Sequence, residues 1–233
     1  MQLFFTKNIT GNIATFETEE ARHIQVLRKK IGDALHFVDG DGGMYKGEIT
    51  EMHKKQCLLS ILEHNPSYNE RKVKLHIAIA PTKNIARLEW FLEKATEIGI
   101  DEITPILCDR SERKRIRTDR LGKITMSAMK QSIKAYLPKL NELTDYQDFI
   151  KQNNDDIKYI AYCNDDALNH LKKEYSSAQN VTILIGPEGD FSPKEVKLAL
   201  ENGYQGISLG TSRLRTETAG IAACHIINLA TDE

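Results

Sequence analysis

Two short apolar runs near the C-terminal end, each closed by a glycine turn and each followed by a strong helix start, constrain this chain more than any other feature. The first is Val181–Ile185, followed by Gly186-Pro187-Glu188-Gly189. The second is Ile207–Leu209, followed by Gly210 and Leu214-Arg215-Thr216-Glu217-Thr218. In an open α/β sheet, ligands bind outside the carboxyl ends of the strands. Ser192-Pro193-Lys194-Glu195 is a capping box with proline at the first helical position, which makes Gly186–Gly189 the loop between a strand end and a helix start. Glycine in such loops lets bare backbone approach a small molecule that a side chain would hold away. Pro187 stiffens the first turn.

Upstream, the pattern is β-rich. Phe4–Phe5, Ile13–Phe16, Leu35–Val38, Gly47–Met52 and Cys57–Leu62 read as strands, with a helix from Glu19 to Lys29, Thr18 as its N-cap and Gly32 beyond its end. The polar segment His64–Asn69 marks a boundary, giving domains 1–68 and 69–233. After it, strands and helices alternate. Val73–Ala80 is a strand, and Asn84 caps a helix closed by Gly99. Glu102–Leu107 is a strand, followed by helices over Leu121–Ile133 and Tyr146–Ile150. Then come the strand Ile157–Tyr162, the helix Leu168–Tyr175, the strand Val181–Ile185, the helix Pro193–Asn202, the strand Ile207–Leu209 and a last helix from Thr216 to about Leu229. This alternation predicts a parallel sheet covered on both faces.

With 233 residues, 40% hydrophobic and 28% charged, the composition is that of an ordinary globular protein. No apolar run has the length of a membrane span, and the N-terminus has no signal-peptide pattern. Cys57, Cys108, Cys163 and Cys224 are far apart and sit in apolar settings. They read as buried free thiols in a reducing cytoplasm, and no metal is expected.

The net charge of −1 announces no polyanion, so any such partner must be read from local clusters. Arg110–Arg117 holds five basic residues (Arg110, Arg113, Lys114, Arg115, Arg117) and one acid; Arg22, His23, Arg28, Lys29 and Lys30 form a second cluster. Both suit a phosphate backbone, although a charge run is usually a solvated face. Thr216 as N-cap and Glu217 in the first helical turn suit the helix dipole, whereas Arg215 does not, and an unfavourable local choice points to a functional duty. Glu188 is either a surface carboxylate or a group that holds a ligand amine or a loop N–H. The turn Asp39–Gly43 is a hairpin: it lacks the glutamate of a calcium loop and the helix of a phosphate loop. These residues leave open an RNA-modifying enzyme, a non-catalytic RNA-binding or assembly module, and a small-molecule enzyme.

Several segments together resemble one family. They are Arg22-His23…Val26-Leu27-Arg28, Glu93-Lys94-Ala95-Thr96-Glu97-Ile98-Gly99-Ile100, Arg110-Ser111-Glu112-Arg113, Gln131-Ser132 with Leu137-Pro138, Ile185–Gly189, and Leu209-Gly210…Leu214–Ala219. The chain resembles, from end to end, the ribosomal RNA small subunit methyltransferase E family of SPOUT (trefoil-knot) enzymes, which methylate N3 of a uridine in 16S rRNA. It departs from that family at Asp190, where a glycine is usual, at Lys130 and Lys134, and at Thr211-Ser212-Arg213. The resemblance implies an α/β fold: a small PUA-like β-barrel for RNA, then a knotted methyltransferase domain with a mostly parallel sheet, acting as a homodimer. It implies S-adenosylmethionine (SAM) held by Tyr162, Cys163, Ile185, Gly186, Pro187, Gly189, Leu209, Gly210, Leu214 and Thr218. Arg215, Glu217 and Glu188 are then the catalytic candidates. Lys83, Gln131 and Lys134 join the two basic clusters on the RNA. A transfer-RNA substrate remains the alternative.

Overall fold

A computed structural model describes residues 2–152, 156–163, 168–175 and 179–231. In chain order the first elements are β1 (Leu3–Phe5), β2 (Ile9–Thr10), β3 (Ile13–Glu17), α1 (Thr18–Val26), β4 (Ala34–Val38), β5 (Met44–His53) and β6 (Gln56–Asn65). They are followed by β7 (Leu75–Ile79), α2 (Ile85–Ile98), β8 (Glu102–Leu107), α3 (Thr118–Gln131), β9 (Lys139–Leu140), β10 (Thr144–Asp145) and α4 (Tyr146–Ile150). The last are β11 (Ile157–Ala161), α5 (Leu171–Glu174), β12 (Val181–Ile185), α6 (Pro193–Glu201), β13 (Gln205–Ile207) and α7 (Thr216–Thr231). The chain divides into two units: Met1–Glu70 with Met126–Leu137, and Arg71–Thr125 with Pro138–Glu233.

The first unit is a six-stranded sheet in the order β1-β4-β5-β6-β3-β2, antiparallel except for β1 with β4. Register shifts between β5 and β6 bend it. Thr6 ties its flanks together: the Thr6 N–H donates to the Val38 carbonyl at 3.1 Å and its hydroxyl to the Thr15 carbonyl at 2.6 Å. Inside, Phe37 lies edge-on to Phe16 at 5.3 Å and stacks on Tyr45 at 4.9 Å. Met129 and Ala135 pack with Leu3, Val38 and Met44, which is why a segment far along the chain belongs to this unit. Lys130 forms an ion pair with Glu20 of α1.

Thr18 is not the cap of α1. Glu17 holds the N-cap position without a side-chain bond, and Thr18 has a φ of 40°. The helix also stops at Val26 rather than Lys29, because Arg28 turns left-handed with a φ of 57°. The Asp39–Gly43 hairpin is closed by Asp39 itself, whose Oδ1 accepts the N–H groups of Asp41 and Gly43.

The second unit is a seven-stranded sheet in the order β10-β8-β7-β12-β11-β13, with β9 on β8, and every pairing is parallel. One face is covered by α2, α5 and α7, with Leu88, Phe91, Leu92, Leu171, Ala223, Cys224 and Ile227 over Ile77, Ile183 and Tyr159. The other is covered by α4 and α6, with Tyr146, Phe149 and Ala199 over Ala78, Ile160 and Leu184. After β13, at the sheet edge, the chain turns back and α7 packs on α2, β7 and β12. Asn84 caps α2 and Ser192–Glu195 is a complete capping box, as expected. The last strand ends at Ile207 instead of Leu209. Ser208 leaves it to bridge His170, which also caps α5 and shortens that helix to Leu171–Glu174. No helix among the described residues is long and apolar enough to cross a membrane.

Candidate active site

All five residues of β12 are buried, with β7 on one side and β11 on the other. The polar groups of this region therefore gather where the strands end. Beyond Ile185, a Cβ on Gly186 would meet the Phe191 ring at 3.1 Å, so only glycine fits there without displacing that ring. The turn Pro187–Asp190 closes with the Asp190 N–H on the Pro187 carbonyl at 2.9 Å, and Asp190 adopts a φ of 61°. Its carboxylate spends both oxygens: Oδ1 accepts the Phe191 N–H at 2.8 Å and Oδ2 the Cys163 N–H at 3.0 Å. The β12 turn is thus clamped to the residues that follow β11.

The third turn, after β13, is set by Ser208, whose hydroxyl donates to the Gly210 carbonyl and accepts the Gly210 N–H. Gly210 has a φ of 126° and open space where a Cβ would be. Thr216 starts α7, but not as its cap. Its hydroxyl donates to the Gly186 carbonyl at 3.0 Å, which straps the helix start to the β12 turn. With the Cys163 N–H on Asp190 and the Thr216 hydroxyl on the Gly186 carbonyl, the ends of β11 and β12 and the start of α7 are fastened together. The backbone N–H groups of the half-buried Leu209 and Leu214 take no hydrogen bond among those described.

Cys163 departs from expectation: it is exposed, because it lies past the end of β11, whereas Cys57, Cys108 and Cys224 are buried. Its thiol is pushed up by partial burial and by Asp190, with Arg213 opposing. Tyr162 is half-buried beside it, and Thr218 is exposed on the first turn of α7.

The two candidate carboxylates differ. Glu188 is exposed, and its Oε1 accepts the Lys83 N–H at 2.9 Å. Glu217 is only 7% exposed; its Oε1 is 3.7 Å from Arg87 Nε, and its Oε2 has no hydrogen-bond partner among the described residues. A buried carboxylate oxygen left open is costly unless a ligand donates to it. Arg215 is exposed, and its side chain has no partner among the described residues. Arg87 had no distinguishing signal in the sequence.

The basic run Arg110–Arg117 is split in purpose. Arg110 donates to the Gly189 carbonyl at 2.7 Å, and Arg113 donates to the carbonyls of Thr82 and Lys83 at 3.0 and 2.7 Å. Arg117 pairs with Asp119, and Lys83 with Glu112, which raises the Lys83 ammonium. Lys114 and Arg115 are exposed and unpaired among the described residues; with Lys83, Glu112 and Arg113 they rim a shallow depression of about 420 Å³. In the first unit, Arg22, Arg28 and Lys30 are exposed, Lys29 is half-buried, and His23 packs on Phe4 at 5.4 Å. Gln131 is exposed and Lys134 half-buried in the same unit. No group of three metal-ligating side chains occurs among the described residues.

The residues at these turns fit an adenosyl group. Open space over the Gly210 backbone, and N–H groups at Leu209 and Leu214 without a partner among the described residues, offer such a group main-chain contacts.

A parallel sheet with bare turns gathered at its strand ends, preceded by a curved β unit, matches known proteins along most of its length. The profile for an RNA methyltransferase domain matches residues 69–228, and that for an RNA methyltransferase PUA domain matches residues 16–62. The fold and site therefore define a two-domain RNA methyltransferase. Ribosomal RNA small subunit methyltransferase E of Rickettsia conorii is 30% identical over 88% of this chain and 84% of its own. The Bacillus subtilis protein of the same name is 27% identical over 100% of this chain and 98% of its own. A probable rRNA-methyltransferase from Porphyromonas gingivalis superposes with a TM-score of 0.92 at 40% identity, covering 100% of this chain and 99% of its own. A Legionella pneumophila protein solved with bound SAM superposes at 0.86, with 26% identity over 98% and 96% of the two chains. The chain belongs to the ribosomal RNA small subunit methyltransferase E family.

Proposed function

We propose that this protein transfers a methyl group from SAM to N3 of a uridine in the 16S rRNA of the small ribosomal subunit. The observation that carries the reading is the meeting of three strand-end segments beside the Glu217 carboxylate and the Arg215 guanidinium. Glu217 Oε2 and the Arg215 side chain have no partner among the described residues. The names of the relatives and the SAM held by the Legionella protein support it.

SAM, when bound, supplies a methyl group already activated on sulfonium. The backbone of Ile185–Gly186, Leu209–Gly210 and Leu214 receives the adenosine, and Tyr162, Pro187 and Thr218 flank it. Uridine N3 becomes a nucleophile only when its proton leaves. Glu217 Oε2 takes that proton, because Glu188 already serves the Lys83 N–H. Arg215 holds the charge that develops on the base oxygens, the role of a preorganised donor. Lys114, Arg115, Lys83, Gln131, Lys134 and the cluster from Arg22 to Lys30 grip the RNA, while Arg110 and Arg113 shape the loops.

The protein acts in the cytoplasm as a homodimer. Trp90 on α2 is 43% exposed and Leu229 on α7 57% exposed, and a second copy would cover them. The deciding experiment offers purified protein and labelled SAM to small subunits, to naked 16S rRNA and to transfer RNA, then maps the product by mass. A label on N3 of a uridine in 16S rRNA is expected. Binding without transfer would leave an RNA-binding module, and a label on transfer RNA would redirect the substrate.

A further inference from the structure

The end of α1 presents an exposed surface of mixed chemistry. Val26 is 71% exposed, Ile31 65% and Leu27 36%. The stretch Ala21–Gly32 contains no acidic residue, and the side chains of Arg22, Arg28, Lys29 and Lys30 have no hydrogen-bond or ion-pair partner among the described residues. Single exposed apolar residues are ordinary; here three stand close in sequence among cations that have no partner among the described residues.

The surface is held in shape. Arg28 ends the helix in the left-handed region, with its N–H on the Gln25 carbonyl at 2.8 Å and the Lys29 N–H on the Ile24 carbonyl at 3.3 Å. Glycine or asparagine normally takes that position, and an arginine kept there points to a use for its side chain. Past it, the Lys30 N–H bonds Asp33 Oδ2 at 2.9 Å and the Gly32 N–H bonds the Ile49 carbonyl at 2.9 Å, fixing the turn that carries Ile31.

We propose that Val26, Leu27 and Ile31 form an apolar wedge that packs against unstacked bases, while Arg22, Arg28, Lys29 and Lys30 hold the flanking phosphates. This rests on the RNA-methyltransferase reading and narrows its substrate to RNA with unpaired or bulged nucleotides at this contact. The cations, whose side chains have no partner among the described residues although Glu19, Glu20 and Asp33 flank the stretch, call for a polyanion. The apolar side chains call for base faces, which a continuous A-form duplex keeps stacked and out of reach.

The test titrates the full-length protein with a single-stranded RNA oligonucleotide and with a duplex of the same sequence, across a salt series. The Val26→Ser/Ile31→Ser protein should bind the single strand roughly tenfold more weakly with an unchanged salt slope, and the duplex as before. The Arg28→Gln/Lys30→Gln protein should instead lose about 1.4 from the salt slope on the single strand. A circular-dichroism spectrum and thermal midpoint like those of the wild type report that each variant is folded, because the substitutions lie in the first unit and SAM is proposed to bind the second. Ile31→Ser alone, in the turn beyond the helix, is the milder second variant. Wild-type affinity of the serine variants for the single strand overturns the proposal. So does a defect seen only on assembled subunits, which would assign the surface to a ribosomal protein, or a change in sedimentation mass, which would assign it to a second copy. If the wild-type protein takes up SAM but no RNA, the broader reading fails with it, a result distinct from failure of the variants alone.

Discussion

The hydroxyl of Thr216 donates to the carbonyl of Gly186 at 3.0 Å, so the first residue of the last helix is fastened to the turn after the central strand β12. That bond is buried, and it joins two of the three turns proposed to hold the cofactor. Removing it with Thr216→Val leaves the Gly186 carbonyl without its partner, at a cost of about 1–3 kcal/mol. The thermal midpoint should fall by at least about 2 °C and SAM should bind more weakly in calorimetry. Unchanged SAM affinity would show that the strap serves stability alone.

Arg215 is exposed and unpaired among the described residues, so nothing in the fold depends on its side chain. Arg215→Ala should lower the rate of methyl transfer by roughly 10²–10³-fold, the usual effect of losing a preorganised charge donor. SAM affinity and the thermal midpoint should stay near wild type. Turnover within a few-fold of wild type would remove Arg215 from the chemistry.

Asp190 both strains the backbone and clamps it, with a φ of 61° and bonds to Phe191 and Cys163. Asp190→Ala loses the clamp and keeps the strain, whereas Asp190→Gly loses the clamp and relieves the strain. The glycine variant should be the more stable by about 1 kcal/mol, and both should bind SAM more weakly. Asp190 also raises the Cys163 thiol, so either variant should speed alkylation of Cys163 at fixed pH. The other three cysteines are buried and should stay silent.

His76 contacts the Thr104 hydroxyl at 2.8 Å, and burial pulls its pKa below 6.5; Lys139 adds to this, while Glu102 and Asp156 oppose it. The folded protein therefore resists protonation that the unfolded chain accepts. Its contribution to stability is present above about pH 6.5 and is lost as the pH falls below that value. The thermal midpoint should drop between about pH 7 and pH 5.5, and His76→Gln should flatten that part of the profile. An equal slope in both proteins would assign the acid sensitivity to other groups.

Lys114 and Arg115, at the rim of the depression beside Lys83, have no ion-pair partner among the described residues. Lys114→Gln with Arg115→Gln should lower the salt slope of RNA binding by about 1.4–1.8 without changing the thermal midpoint. Arg113→Ala should act differently, lowering stability because it frees the carbonyls of Thr82 and Lys83. A salt slope untouched by the double change would place the RNA elsewhere.

Much of the fold was legible because its signals are local. The buried run Val181–Ile185, the cap at Asn84, the capping box Ser192–Glu195 and the hairpin at Asp39–Gly43 depend on neighbours a few residues away. The misreadings also have local causes. Thr18 and Thr216 look like caps by residue type, but Thr18 turns to positive φ and Thr216 spends its hydroxyl on a carbonyl far away in sequence. Cys163 has an apolar flank in sequence yet lies beyond the sheet edge that would have buried it.

By itself, the order of residues determined that strands and helices alternate, that two glycine turns follow strands, and which cations and carboxylates stand near them. Only the tertiary structure decided which of those groups are already spoken for. It tied up Glu188, Arg110 and Arg113 in loop carbonyls and N–H groups, and left Glu217 Oε2 and the Arg215 side chain without a partner among the described residues. It also carried Met126–Leu137 into the first unit. The reason is physical: hydrogen-bond partners and burial are set by what the folded chain brings within about 3 Å, and that proximity is not written in sequence spacing.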